Sequence, residues 1–304
     1  MTITVGIAGP GAIAARHAVA LRAAGARLAG VCGPDPAATA RFAELYGCAA
    51  AHPDLDALLS ASGLDAVVIC SPNVFHVPQT LAALRAGCHV LCEVPVAMSL
   101  ADALEVVRVA DDSGRQVMAA HTLRFCPPYR RARDLVESGL RVRHAVGRTL
   151  MLRQADTRGW TDDVLWHHGA HLVDAALWLL DADAEVAGAR GPAWRGSGRP
   201  MDAGAVLTTP GGGLATLSLS YHSRSAVRDL LLIAEDTTLT LTGGSLLGPS
   251  GVLAGCGGDD AMERVGLAAQ DAAFVAAVAE GRPVPLPITA VLPALRALAT
   301  WSTA

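Results

Sequence analysis

This chain has no long uninterrupted apolar run, no basic patch suited to a polyanion and no cysteines at paired short spacing. The first absence argues against a transmembrane span, which needs about 20 mostly apolar residues in a row. No charged segment followed by an apolar stretch and a cleavage site is visible, because the first apolar run is used by the first strand. The second absence, with a net charge of −4 and a pI near 6.2, leaves nothing to attract nucleic acid or an anionic membrane. Seven cysteines, an odd number, read as reduced and mostly buried thiols, so the expected compartment is cytoplasmic. There is no internal repeat, and the one glycine-rich patch runs from Gly251 to Gly258. What is present is a chain of 304 residues, 52% hydrophobic with a mean hydropathy of +0.37, long enough to bury the cores of two domains.

The first apolar run ends at Ala8, breaks into Gly9-Pro10-Gly11-Ala12-Ile13-Ala14 and continues as an Ala-rich helical segment to Ala24. Strand, tight glycine turn and helix in that order fit the dinucleotide-binding fingerprint, with Ala14 in the place of the third glycine. This arrangement sets the backbone N–H groups of Gly11, Ala12 and Ile13 against a pyrophosphate. A second strand, Leu28 to Cys32, ends in Gly33-Pro34-Asp35-Pro36. The carboxylate that holds the adenosine ribose sits at or just past this strand end in such folds. Gly33 occupies the usual acidic place, and Asp35, two residues later, is equally suited to cap the next helix. No Arg or Lys stands before Arg41 to meet a 2′-phosphate, which favours NAD over NADP.

Strand-like and helical patterns alternate to about Met118, with strands at Ala66–Cys70, His89–Leu91 and Gln116–Met118. After about His144 the pattern changes to runs at Val146–Gln154, Ala205–Thr209, Leu214–Ser220, Leu230–Ala234 and Thr238–Leu241, separated by Gly, Pro, Asp and Ser. Final helices are expected from near Ala268 and over Thr289 to Trp301. The fold class is therefore α/β: an N-terminal Rossmann domain, residues 1–120, then an α+β domain, residues 121–304, built on a large, mostly antiparallel open sheet. The active site is expected in the cleft between them.

The segment Trp166-His167-His168-Gly169-Ala170-His171-Leu172-Val173-Asp174 carries the densest chemistry. At α-helical spacing His167, His171 and Asp174 point within about 60° of one another, while His168 lies to the side. Stacked imidazoles with a carboxylate one turn on suit a general base and a group that orients it. A metal site would need a further ligand cluster, and none is evident.

Three further motifs occur in order: Ser71-Pro72-Asn73-Val74-Phe75-His76, Ala83-Leu84-Arg85-Ala86-Gly87-Cys88-His89-Val90 and Glu93-Val94-Pro95. Together with Gly169, His171 and Asp174 they resemble the hallmark series of the Gfo/Idh/MocA oxidoreductases. The resemblance implies hydride transfer between nicotinamide and a hydroxyl or carbonyl carbon. It also implies a cofactor lined by Ser71, Pro72, Asn73, His76, Glu93, Val94 and Pro95, and a C-terminal sheet that makes a dimer or tetramer. Most members have Lys where Val94 stands and Asp where His167 stands, and that lysine is credited with proton transfer. A branch acting on 4-carboxy-2-hydroxymuconate-6-semialdehyde, the product of aromatic ring cleavage, resembles this chain at both departures.

That branch oxidises a cyclic hemiacetal to a pyrone lactone. It implies His171 as base with His167 as the next candidate, Asp174 orienting His171, and Arg124 on a substrate carboxylate. His168, Arg153, Arg158, Trp160 and Trp166 are further candidate substrate contacts, and Trp160 and Trp166 are equally suited to a core. Leu123, where the branch tends to have a second Arg, points to a substrate of different shape or with one carboxylate fewer. Two other readings stay open: a sugar or cyclitol dehydrogenase, and a non-catalytic nucleotide-binding protein.

Overall fold

The computed structural model describes residues 1–60, 63–152, 164–190 and 200–303. The chain forms two compact units, one of Met1–Ala120 with Leu267–Val291, the other of His121–Gly266 with Leu292–Ala304. A single cut after residue 120 was expected. The structure has that cut but returns 267–291 to the first unit, and the edge of the first sheet explains why.

In the first unit the elements run β1 (Thr4–Ala8), α1 (Ala12–Ala23), β2 (Arg27–Cys32), α2 (Pro36–Tyr46), β3 (Ala51–His52), α3 (Leu55–Leu59), β4 (Ala66–Ile69), α4 (His76–Arg85), β5 (His89–Cys92), α5 (Leu100–Ser113) and β6 (Val117–Ala119). The strands pair in parallel in the order β3-β2-β1-β4-β5-β6. Every residue of β1 and β4 is buried, as expected for strands covered on both faces. The chain winds outward from β1 to β3, restarts at β4 and winds the other way to β6, so the switch point lies between β1 and β4. The helices carry their own stop and start signals. Asp35, Asp54 and Ser99 cap α2, α3 and α5, and Gly47 and Gly114 end α2 and α5 in the left-handed region.

β6 is a short edge strand with polar groups to satisfy. Residues 282–287 cover it: Ala119 N–H donates to Leu286 O at 3.1 Å, Val284 N–H donates to Gln116 Oε1 at 2.7 Å, and Met118 bridges Pro287. Asp271 provides a second tie. His17 on α1 is fully buried, with Nδ1 2.8 Å from Asp271 Oδ2 and Nε2 2.8 Å from Glu93 Oε1. Carboxylates only accept, so both ring nitrogens carry protons and the ring is an imidazolium. Burial pulls its pKa down, but the two carboxylates outweigh that and lift it to about 10.

The second unit contains α6 (Pro127–Glu137), β7 (Val142–Leu152), α7 (Ala170–Leu180), β8 (Glu185–Arg190), β9 (Asp202–Thr208), β10 (Leu214–Ser220), β11 (His222–Ala234), β12 (Thr238–Thr242), β13 (Ser245–Gly248) and β14 (Gly251–Gly255). They are followed by α8 (Asp259–Glu280), whose residues from Leu267 belong to the first unit, and α9 (Leu292–Thr303). The sheet order is β14-β13-β12-β11-β7-β10-β9-β8, and among the described residues only β7 and β10 pair in parallel. Strict alternation of buried and exposed residues along β9 shows one face covered. A Cβ on Gly147 would lie 2.7 Å from Leu172 Cδ1, and one on Gly169 would lie 2.8 Å from Leu219 Cδ1. These two glycines let α7 and the turn before it close on the sheet. Among the described residues no helix is long and apolar enough to cross a membrane.

The His17 contact generates a stability prediction. Replacing His17 with Ala leaves Asp271 buried without its cation, and should cost about 3–5 kcal/mol in chemical denaturation. The imidazolium contribution is fully present below the unfolded pKa of 6.5 and is lost as pH rises through about 10. The wild-type denaturation midpoint should therefore fall between pH 7 and pH 10 by more than that of His17→Ala.

Candidate active site

β1 delivers Gly9 at φ +95°, its N–H donating to Cys32 O at 2.9 Å. A Cβ there would lie 2.8 Å from Ser71 N and 2.9 Å from Cys70 O, so only glycine lets the two loops at the switch point meet. Gly11 starts α1 without a side-chain cap, with open space where its Cβ would be. Ala12 is exposed and Ile13 half-buried. The first-turn N–H groups of α1 are thus left without a side-chain acceptor, the arrangement that suits an anion. From β4 come Ser71, whose Oγ donates to Gln79 Oε1 at 2.5 Å, then Pro72 and Asn73. Asn73 Nδ2 is buried with no hydrogen-bond partner, a donor that awaits an acceptor. An uncapped helix start, a cradle that a Cβ would fill and an orphaned amide all fit a pyrophosphate-bearing cofactor.

His76, expected to touch that cofactor, does something else. Its ring is 1% exposed, with Nδ1 2.8 Å from Pro95 O and Nε2 2.7 Å from Ser71 O. Burial lowers its pKa, but Cys92 and the two carbonyls lift it to about 9. Both nitrogens are spent holding two loops in place, so its effect on a ligand is through their shape. Glu93 follows β5, with Oε1 on His17 and Oε2 accepting from Val94 N at 3.3 Å. The Val94–Pro95 peptide is cis, and Val94 is buried. Asp35 Oδ1 accepts from Ala38 N at 3.0 Å as the cap of α2, and the residue itself is exposed. Gly33 stands where the ribose acid is usual because a Cβ there would lie 2.6 Å from Pro10 Cδ.

In the second unit the histidine segment departs from α-helical winding. Residues 165–169 form a π-helical turn before α7, with bonds from i to i+5, so the angles expected from a uniform α-helix do not hold. His168 is brought in beside His167: their ring centroids are 4.1 Å apart, and their Nδ1 atoms lie 2.5 and 2.7 Å from Tyr221 Oη. His171, on the first turn of α7, has its ring edge-on to His121 at 5.7 Å. All three imidazoles of the segment are half-buried, whereas Trp166 lies in the core at 8% exposure. Trp160, Arg153 and Arg158 lie outside the described residues.

Asp174, expected to orient His171, is 1% exposed and gives its carboxylate to other groups. Arg124 donates from Nε to Oδ2 at 2.9 Å and from Nη2 to Oδ1 at 2.6 Å, and His121 Nδ1 lies 3.2 Å from Oδ2. Burial alone would raise the Asp174 pKa, but the neighbouring His121 and the Arg124 fork hold it well below the usual carboxylate range. Arg124 also lies over the Trp178 ring at 5.2 Å. The guanidinium fork expected on a substrate carboxylate is thus committed to Asp174, because a buried carboxylate demands a paired cation.

Sequence reasoning missed His17, Asp271, His121 and Tyr221 as partners. His121 stands in the same short run as Arg124, and Tyr221 closes the run Leu217-Ser218-Leu219-Ser220-Tyr221 that resembles the same branch, but neither run shows which side chains the two residues meet. The chain contains no lysine at all, every one of its 24 basic residues being arginine, so no ammonium is at hand for proton transfer. Imidazoles are the groups here that exchange protons near neutral pH.

A family model for the oxidoreductase family with an NAD-binding Rossmann fold matches residues 3–121, and one for the C-terminal domain of bacterial oxidoreductases matches residues 136–240. The chain is 29% identical over 304 residues to a 4-carboxy-2-hydroxymuconate-6-semialdehyde dehydrogenase of Sphingobium sp. (strain NBRC 103272 / SYK-6), covering 97% of this chain and 96% of that one. It is 33% identical to an inositol 2-dehydrogenase of Saccharopolyspora erythraea over 66% of this chain and 60% of that one. A solved structure of UDP-N-acetylglucosamine 3-dehydrogenase from Acidithiobacillus ferrooxidans superposes with a TM-score of 0.85 at 25% identity, covering 98% of this chain and 96% of that one. The glycine cradle, the doubly wound sheet, the open second sheet and these matches place the chain in the Gfo/Idh/MocA family of NAD-dependent oxidoreductases.

Proposed function

We propose that this dehydrogenase oxidises a carboxylated aldehyde in its cyclic hemiacetal form, of the 4-carboxy-2-hydroxymuconate-6-semialdehyde kind, to a lactone, with NAD as acceptor and an imidazole as base. The hemiacetal C–H bond gives its electron pair and hydrogen to nicotinamide as hydride. The O–H proton goes to the imidazole, and the carbonyl of the lactone forms. His171 is the first candidate for that base and His167 the next.

The observation that carries this reading is the half-buried His171 ring set against His121, which is itself paired with buried Asp174. A carboxylate behind the neighbouring ring favours the positive charge that proton uptake creates. The substrate class is supported by the similarity to the semialdehyde dehydrogenase, which runs the length of both chains. One observation favours a sugar or cyclitol instead: Arg124 has its fork on Asp174, and a neutral polyol needs no carboxylate partner. We also infer a homo-oligomer through the second sheet, whose last strand exposes Val252 and Leu253.

Titration with NADH and NADPH, followed by nicotinamide fluorescence, should show tighter binding of NADH, since the loop after β2 holds no cation before Arg41. Gly9→Ala should abolish that binding, because it forces a side chain into φ +95° and against Ser71. A panel of carboxylated hemiacetals and neutral polyols then decides the substrate: turnover of polyols alone would overturn the carboxylated reading. On the accepted substrate His171→Ala should lower kcat about 100–10,000-fold while NADH affinity is retained. Full activity in that variant would remove His171 as the base.

A further inference from the structure

His76 and His17 reach one short segment of the first unit from two different helices. Past Glu93, whose N–H donates to Ile69 O at 3.0 Å, the chain has left the sheet, yet Val94, Pro95, Val96 and Ala97 are all buried. Buried backbone outside a sheet has to find its hydrogen bonds elsewhere, side chains included. The Pro95 carbonyl finds His76 Nδ1 at 2.8 Å, and Nε2 of the same ring is 2.7 Å from Ser71 O. At the start of the segment Glu93 Oε1 meets His17 Nε2 at 2.8 Å, while His17 Nδ1 is held by Asp271.

The contacts of His76 run in one direction only. Pro95 and Ser71 present carbonyl oxygens, which accept and never donate, so each ring nitrogen carries a proton and the ring is an imidazolium. The titratable group beside it is the Cys92 thiol at the end of β5. Around His17 stand Glu93 and Asp271, the latter accepting from Gln270 Nε2 at 3.3 Å, and the Cys70 thiol lies within electrostatic reach of both carboxylates. Each ring thus ties two parts of the chain that are far apart in sequence.

The sheet order says which part of a cofactor this segment meets. The strands run β3-β2-β1-β4-β5-β6. In such folds the pyrophosphate sits at the glycine turn after β1, and the adenosine ribose is gripped at the end of β2. The adenosine half therefore lies on the β2 side of the switch point and the nicotinamide on the opposite side, where Ser71 follows β4 and residues 93–95 follow β5. We propose that His76 and His17 are positioning residues for the nicotinamide ring, clamping residues 93–95 between α4 and α1 as the wall against which that ring rests.

The two helices have a second part in the same site. α1 begins with the uncapped N–H groups of the glycine turn, and α4 follows the turn that carries the orphaned Asn73 amide. Helices that offer donors to the cofactor also hold this wall, so the wall is in place before the cofactor arrives and needs no ordering on binding. Further contacts of Glu93 add to the clamp, and the hold of His76 on Pro95 does not depend on them. No property of the substrate enters, so the inference stands whether a carboxylated hemiacetal or a polyol is oxidised.

The test compares NADH with ADP-ribose, which lacks the nicotinamide ring and keeps the rest of the dinucleotide. His76→Phe leaves a ring in the buried space and removes both N–H donors. With two buried carbonyls unpaired and the wall released, NADH affinity measured by calorimetry should fall about 10-fold or more, while that of ADP-ribose stays within about 2-fold. His17→Gln combined with Asp271→Asn frees Glu93 without leaving a buried charge unpaired at 271, and should show the same split. A merely structural role would lower the denaturation midpoint and leave the ratio of the two affinities where it is. An unchanged ratio in either folded variant overturns the proposal. Should His76→Phe fail to fold, His76→Gln, which keeps one donor, takes its place and should give a smaller split of the same sign. In wild-type protein labelled with 15N-histidine, proton–nitrogen correlation spectra near neutral pH should show protons on both nitrogens of His76. A neutral ring there also overturns the clamp.

Discussion

A carboxylate taken out of water has to find a cation, and each unit of this protein is organised around one such demand. Asp174 is buried in the second unit, and leaving it unpaired would cost several kcal/mol. Arg124 and His121 therefore converge on it, from a segment about 50 residues earlier in the chain. Their commitment fixes where His121 stands, and His121 in turn sets the wall against which His171 rests. In the first unit Asp271 makes the same demand of His17, and the imidazolium that results also holds Glu93. The glycine turn's own helix is thereby tied to the segment that carries Val94 and Pro95.

The absence of lysine changes how proton transfer has to work. A lysine ammonium has an ordinary pKa near 10.4, so it serves as a base at pH 7 only after burial or a neighbouring charge has lowered it by about 3 units. An imidazole begins near 6.5 and needs no such adjustment. Val94 is buried where a lysine is usual, and four histidines with a phenol lie in the second unit's candidate site.

Much of the fold was legible in the sequence because its signals are local. Gly9 and Gly11 follow an apolar strand within a few residues, and the turn they make is set by φ at one position. The change from fully apolar strands to alternating ones, near His144, marks the passage from a sheet covered on both faces to one covered on a single face. What was not legible is non-local. The return of residues 267–291 depends on β6 being an edge, which only the sheet order reveals. The pairing of Arg124 with Asp174 competes with any substrate for the same guanidinium, and nothing in the spacing of either residue says which wins. The π turn at 165–169 defeated the helical projection for a different reason: one extra residue per turn regroups every side chain that an ideal helix would align. His168, projected to the side of that face, lies beside His167 with its Nδ1 on Tyr221 Oη.

The packing of Pro10 over Gly33 has an evolutionary consequence. A carboxylate in the customary ribose position requires a side chain at Gly33, and the space it would fill is occupied by the ring of Pro10, with Thr39 Oγ1 on another side. A single substitution at Gly33 therefore meets a clash before any benefit can arise. Drift of this lineage toward a different adenosine grip must change Pro10 and Gly33 together, or else recruit Asp35 from its helix cap. The glycine turn and the second strand end, 23 positions apart at Pro10 and Gly33, are coupled by this one contact.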